Sequence, residues 1–242
     1  MKQRYKILIS SCDKYSYLWD VLKFSHMNYL GDDYKQLTTL ISETEQSDYF
    51  HTINYQGNWK QMILSFLKDT KEDYLLYLQD DYMFWKKPIP LEYFNHLTEL
   101  CYDKNIDHLL ITNKADLYKP SFVETTLYGE LYKREYHGDY LASLQMGIWE
   151  KDYFIKLLES FEFDNIWGFE IGANKYCKNL NASLYLYYNI EDGEGRIFEP
   201  SEIVRKGSVL DNIKEGGAIR EKWLKDFPDK KEEIEKICNN LC

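Results

Sequence analysis

The sequence predicts a single α/β domain with a mostly parallel central sheet, helices on both faces and a helical C-terminal tail. Short apolar runs alternate with helix-spaced ones through the first half of the chain, which is the pattern of successive strand–helix units. Residues 74–78 (YLLYL) are apolar throughout, as a strand buried on both faces of a parallel sheet must be. A length of 242 residues suits one sizeable core better than two independent ones.

Residues 5–11 (YKILISS) form the first expected strand, broken at Cys12-Asp13-Lys14 and followed by a helix over 15–29 with apolar Leu18, Trp19, Leu22 and Met27. A second strand is expected over 36–42, a short third over 50–54, and an amphipathic helix over 59–67 with Asn58 as its N-cap. After the 74–78 strand, Pro88 and Pro90 punctuate the chain before a helix over 91–102 and a strand over 108–112. These elements make residues 1–113 the expected nucleotide-binding half. Residues 114–217 are expected to form the acceptor half, beginning with elaborated loops and a hairpin around 123–134. Strands over 144–149 and 184–188 and helices over 151–160 and 169–180 follow. The charged tail, 218–242, reads as helices interrupted at Pro228 that present a solvated face or clamp.

The formal charge of -10 argues against nucleic acid as a partner, because phosphate backbones are bound by clustered Lys and Arg. Five scattered cysteines without C-x-x-C spacing read as reduced thiols of a cytoplasmic protein, not as a zinc site. No apolar stretch approaches the length of a bilayer span, which leaves peripheral contact with the inner face of a membrane as the only expected membrane association. The 22 tyrosines supply flat apolar area with a hydroxyl, suited to sugar and base faces as well as to ordinary packing.

The sharpest chemical feature is the abrupt end of the 74–78 strand in Gln79-Asp80-Asp81. Ligands of open α/β sheets bind beyond the carboxyl ends of the strands, and two adjacent carboxylates there call for a hard divalent cation. Mg²⁺ or Mn²⁺ needs only one or two carboxylates when substrate phosphates complete its shell. A transfer to a hydroxyl acceptor also needs a carboxylate to take the acceptor proton. Glu170, in the aromatic and glycine setting NIWGFE, is the candidate, the alternative being a first-turn helix acid favoured by the dipole.

The apolar strand ending in Gln79-Asp80-Asp81 resembles the DxD element of GT-A glycosyltransferases, with Gln79 replacing the first acid and leaving the metal fewer carboxylates. The resemblance extends to residues 7–19 (ILISSCDKYSYLW), Asn58-Trp59, residues 143–149 (SLQMGIW) and residues 167–170 (WGFE), and it is shared with small bacterial and viral transferases that include rhamnosyltransferase-like domains. It implies a GT-A (Rossmann-like) fold, a nucleotide-diphosphate sugar donor, a glycan or lipid-linked glycan acceptor, Mn²⁺ or Mg²⁺, and a place in surface polysaccharide biosynthesis. By the same resemblance Asp81 is the metal ligand and Asp80 lies near the ribose or diphosphate. Ser11, Asp13 and Tyr15 are expected at the nucleotide, with the Tyr15 ring either stacking on the base or packing at a helix start. Asn58, Trp59, Gln79 and Gln145 are expected around the donor sugar.

Arg134, Arg196, Arg205 and Lys206 are candidates for diphosphate or acceptor charge, or plain surface cations, and His137 for a metal or acceptor contact. Asp32, Asp33 and Glu43 carry no assignment, since a turn after Gly31 accounts for the aspartates. Two other classes stay open at this point: a metal-dependent nucleotidyltransferase, although no GxxxxGK[ST] or GxGxxG phosphate loop occurs, and a non-catalytic glycan-binding module.

Overall fold

A computed structural model of the chain describes residues 4–111, 120–135, 140–189, 191–192, 195–196, 201–205 and 208–241. His137 and Lys206 lie outside these residues, and so does the side chain of Arg196. The chain runs β1 (Tyr5–Ser10), a 3-10 turn (Asp13–Leu18), α1 (Trp19–Tyr29), α2 (Asp32–Leu37), β2 (Thr38–Ser42), β3 (His51–Asn54), α3 (Trp59–Asp69), β4 (Tyr74–Gln79) and β5 (Tyr82–Met83). It continues through α4 (Leu91–Lys104), β6 (His108–Ile111), β7 (Ser121–Thr125), β8 (Gly129–Lys133), β9 (Gly147–Glu150), α5 (Lys151–Glu159), α6 (Ile166–Asn179), β10 (Leu184–Asn189), α7 (Ala218–Asp226) and α8 (Lys231–Asn239).

Nine strands form one sheet in the order β3-β2-β1-β4-β9-β6-β10-β8-β7. Only β9 and β8 run against the other seven, so the fold is the expected mostly parallel α/β sheet. Strand β9 corrects the expectation of simple strand–helix alternation: it lies antiparallel between β4 and β6 and joins the two halves of the chain into one sheet. Its Gly147 is where the strands close up, since a Cβ there would stand 2.8 Å from His108 Nε2 and 2.9 Å from the Leu109 carbonyl oxygen.

The apolar run in β4 explains itself in the two cores. Tyr74, Leu76 and Leu78 enter one core with α1, α4, α7 and α8, while Leu75 and Tyr77 enter the other with α3, α5 and α6. Side chains alternate across a strand, so a strand with a core on each face has no position left for a polar residue until it ends.

Helix α2 stands where a turn was expected. Gly31 enters it with φ +82, a left-handed conformation that costs a glycine little, and Asp32 and Asp33 occupy its first turn where the helix dipole favours acids. At six residues it is too short to show periodicity. Helix α6 begins three residues before the expected start, because Asn165 caps it by accepting a hydrogen bond from Gly168 N at 2.9 Å.

The tail is more than a solvated face. Ile219, Trp223, Ile234, Ile237 and Cys238 are buried in the α1–α4 core, and Phe24 lies 4.8 Å from the Trp223 ring. Trp223→Ala is therefore expected to cost about 3–5 kcal/mol, as large-to-small changes in a packed core do. Chemical denaturation reads this directly, and a loss under about 1 kcal/mol, the level of a surface change, would show an undocked tail.

Candidate active site

The parallel order reverses between β1 and β4: the chain moves from β1 outward to β2 and β3, then returns through α3 to β4 on the other side of β1. Loops leaving the carboxyl ends of β1 and β4 diverge there, which opens a crevice by topology alone. A cavity of about 390 Å³ lies at this point. Ser11, Glu43 and Asp80, the residues immediately following β1, β2 and β4, all line it, as does Asp81.

Register explains the first contact. Ser10 pairs with Gln79, so Ser11 and Asp80 emerge side by side, and Ser11 Oγ donates to Asp80 Oδ2. The hydroxyl in turn accepts from Trp19 Nε1 at 2.8 Å, a relay that fixes the carboxylate from α1. Trp59 Nε1 similarly donates to Ser10 Oγ at 3.0 Å, and both Trp59 and Ser10 line the cavity.

Asp80 is 7% exposed, and burial pushes its pKa up to about 7 against the opposing Ser11 hydrogen bond. Asp81 is pushed to about 8, first by burial, then by Asp80 and by Glu202. Its Oδ1 is buried without a hydrogen-bond partner. An orphaned carboxylate oxygen beside a second raised carboxyl is what a hard cation satisfies, so the chemistry of these side chains fits Mg²⁺ or Mn²⁺ at Asp81, with Asp80 beside it. The described residues contain no group of three or more His, Cys, Asp or Glu side chains arranged to hold an ion by themselves.

The remaining expected residues divide. Tyr15, Trp59 and Gln79 line the cavity, and Gln79 Nε2 also donates to the Leu144 carbonyl at 3.4 Å. Asp13 does not line it. Its carboxylate instead accepts from the backbone N–H groups of Glu43, Thr44 and Glu45 and from the Thr44 hydroxyl, which lowers its pKa to about 2, with the Thr44 hydroxyl the largest cause. Asp13 thus ties the loop after β2 to the loop after β1 and brings Glu43 to the wall. Asn58 is also absent from the lining, its side chain spent on capping α3 by accepting from Gln61 N at 3.0 Å. Gln145 lies outside the lining, half-buried next to β9.

Glu170 likewise stands back from the cavity. Its Oε1 accepts from Leu144 N at 2.7 Å and from Ser143 Oγ at 3.3 Å, and its pKa is raised by burial against those two bonds. Gln79 and Glu170 therefore hold the two ends of one peptide residue, Leu144, from β4 and α6 respectively. The first turn of the same helix does reach the cavity through Ile166 and Trp167, and Trp167 is 66% exposed. Arg134 is withdrawn altogether: it is buried, and its guanidinium donates to the Leu141 and Tyr140 carbonyls.

Sequence reasoning missed Glu202 and Trp167 as wall residues and left Glu43 unassigned, while Arg205 does line the cavity. Glu202 arrives through a two-residue antiparallel pairing of Ser201–Glu202 with β5, reinforced by Ile203 N donating to the Asp81 carbonyl at 2.9 Å. A ladder that short has no sequence signature.

No protein-family model matches the chain, and no curated protein matches it. Similar solved structures include a cytidylyltransferase from Leptospira borgpetersenii, with 12% identity over 82% of this chain and 82% of that one and a TM-score of 0.45. They also include TarS of S. aureus, with 14% identity over 78% of this chain, 36% of TarS and a TM-score of 0.45. UDP-glucose pyrophosphorylase complexed with UDP-glucose matches at 8% identity over 83% of this chain and 93% of that one, with a TM-score of 0.44. At these identities the likeness is one of chain path, and no residue role passes across it.

The raised carboxyls predict an inverse pH dependence of stability. A group whose folded pKa exceeds its unfolded value of about 3.9 adds stability that is complete below that value and lost as pH climbs through the folded one. In chelator-treated buffer, Asp81→Asn is expected to melt several degrees above the parent at pH 8, at about 2–4 °C per kcal/mol for a chain of this size. The gap is expected to close towards pH 4; a gap constant with pH, followed by scanning calorimetry, would show that Asp81 titrates normally.

Proposed function

We propose that this protein is a nucleotide-dependent sugar transferase, taking a sugar from a nucleotide-diphosphate donor to a glycan or lipid-linked glycan acceptor. The observation that carries the reading is the pair of buried Asp80 and half-buried Asp81 at the carboxyl end of β4, opening into an aromatic-walled cavity at the reversal point of the sheet. Tyr15 and Trp59 offer ring faces to the base and sugar, and Ser11 and Gln79 offer hydrogen bonds to hydroxyls.

In this reading Asp81 would hold Mn²⁺ or Mg²⁺, with Asp80 beside it near the ribose or diphosphate, and the ion would supply charge neutralisation for the departing diphosphate. Glu170 is the general base for the acceptor. Its Oε1 is fixed by Leu144 and Ser143, its Oε2 takes no hydrogen bond among the described residues, and burial shifts the carboxyl towards the pKa of an effective base. The exposed Trp167 ring, three residues before Glu170 on α6, lines the cavity and gives the acceptor a platform. Attack from the side opposite the diphosphate gives inversion at the anomeric carbon.

No helix of the described residues is long and apolar enough to cross a membrane. An assignment to polysaccharide assembly at the inner membrane surface belongs to this proposal and follows from the acceptor class.

The deciding experiment is calorimetric titration of UDP, GDP and dTDP with and without Mn²⁺, on the parent and on Asp81→Asn. The expected result is metal-dependent binding of one nucleotide that weakens at least about tenfold in the variant, the loss of one charge-assisted ligand. Binding of none of them would leave a glycan-binding module as the better description. Glu170→Gln is expected to keep nucleotide affinity while lowering turnover of a nucleotide sugar by about 10²–10⁴-fold, the usual contribution of a general base.

A further inference from the structure

Among the described residues the cavity wall carries four acidic side chains, Glu43, Asp80, Asp81 and Glu202, and one cationic side chain, Arg205. A diphosphate entering an acid-lined wall meets repulsion from each of those groups that is ionised, unless positive charge is delivered to it. Arg205 is positioned to deliver it. The side chain is 62% exposed, and its Nη2 and Nε both donate to one oxygen, Glu202 Oε2, at 2.7 and 3.0 Å.

That pairing is a weak resting state. Two N–H groups converge on one acceptor oxygen, whereas the guanidinium fork matches two oxygens in parallel, as a phosphate presents them. Exposed ion pairs three residues apart contribute little to stability, so the pair is easily exchanged. The backbone beneath it is firmly held. Ile203 and Val204 are buried, Val204 and Arg205 pair with Val209 and Ser208, and Asn212 Nδ2 donates to the Glu202 carbonyl at 2.9 Å. The anchor stays in place while the long side chain swings.

We propose that Glu202 and Arg205 form an exchange pair for the diphosphate of the donor: the incoming diphosphate displaces Glu202 from Arg205 and takes over its fork. The proposal rests on the nucleotide reading above and adds a diphosphate-recognising residue, Arg205, that is not itself one of the metal-binding acids. Arg205 then discriminates nucleoside diphosphates from nucleosides, and Glu202 sets how much of that discrimination is held back in the resting protein.

The test compares UDP, GDP, CDP and dTDP each with its own nucleoside, and includes inorganic pyrophosphate. Calorimetry at fixed ionic strength is done with Mn²⁺ and with chelator on the parent, Arg205→Met, Arg205→Lys, Glu202→Gln and the Glu202→Gln/Arg205→Met double variant. The ratio of nucleoside to diphosphate dissociation constants is expected to fall about tenfold in Arg205→Met, equivalent to one charge-assisted contact, and to return in part with the point charge of Arg205→Lys. Glu202→Gln is expected to raise the ratio, a gain that misfolding cannot produce. That gain should vanish in the double variant, which separates release of Arg205 from the simple loss of a negative charge. A ratio unchanged in Arg205→Met, or a Glu202→Gln gain that survives in the double variant, would overturn the exchange pair while leaving nucleotide binding intact. Absence of nucleoside and diphosphate binding in the parent would overturn both readings together.

Discussion

Two adjacent carboxylates at the end of a fully buried strand are the constraint around which the rest of the structure is arranged. Burial disfavours their charged forms, and each is a like charge to the other, so the folded protein holds them at a cost in stability. Their surroundings limit that cost only in part. Ser11, itself held by Trp19, stabilises one oxygen of Asp80, while Asp81 keeps a buried oxygen with nothing to accept from. Such a site is a poor use of core space for stability alone, and the cation proposed for it is what would offset that cost.

The scaffold supplies rigidity to bear that load. Strand β4 is clamped between β1 and β9, with an apolar core on each face, so its end cannot relax to bring the carboxylates into water. The loops that complete the wall are each pinned by a side chain with no contact to the cavity: Asp13 fastens the loop after β2, and Asn58 starts α3 and so sets where Trp59 points. Glu170 and Gln79 converge on Leu144 and hold the segment that leads into β9. Asp13 and Asn58 are thus spent on positioning, because a backbone N–H left without a partner in a half-buried loop costs more than an exposed polar side chain gains by staying free.

The electrostatics of the wall follow from the same economy. The acids come from the ends of two parallel strands, β2 and β4, and from the short strand paired with β5, while the one cation on the wall among the described residues, Arg205, lies three residues after Glu202. Negative charge is therefore built into the rigid part of the site, and the compensating positive charge sits on a long, exposed side chain. Rigid acids and a movable base suit a ligand that brings its own negative groups together with a cation.

The sequence by itself determined the α/β class, the buried central strand and the placement of Asp80 and Asp81 at its carboxyl end, because an unbroken apolar run and an abrupt acidic stop are local facts. It also determined the Asn58 cap, since an N-cap is decided within four residues. Only the tertiary structure decided that β9 runs antiparallel between β4 and β6, that Asp13 is tied to residues 43–45, and that Glu202 and Arg205 stand on the cavity wall. Those outcomes rest on pairings between distant segments, two of them only a few hydrogen bonds long. Such contacts follow from the closure of the whole sheet and leave no periodicity in the residues that make them.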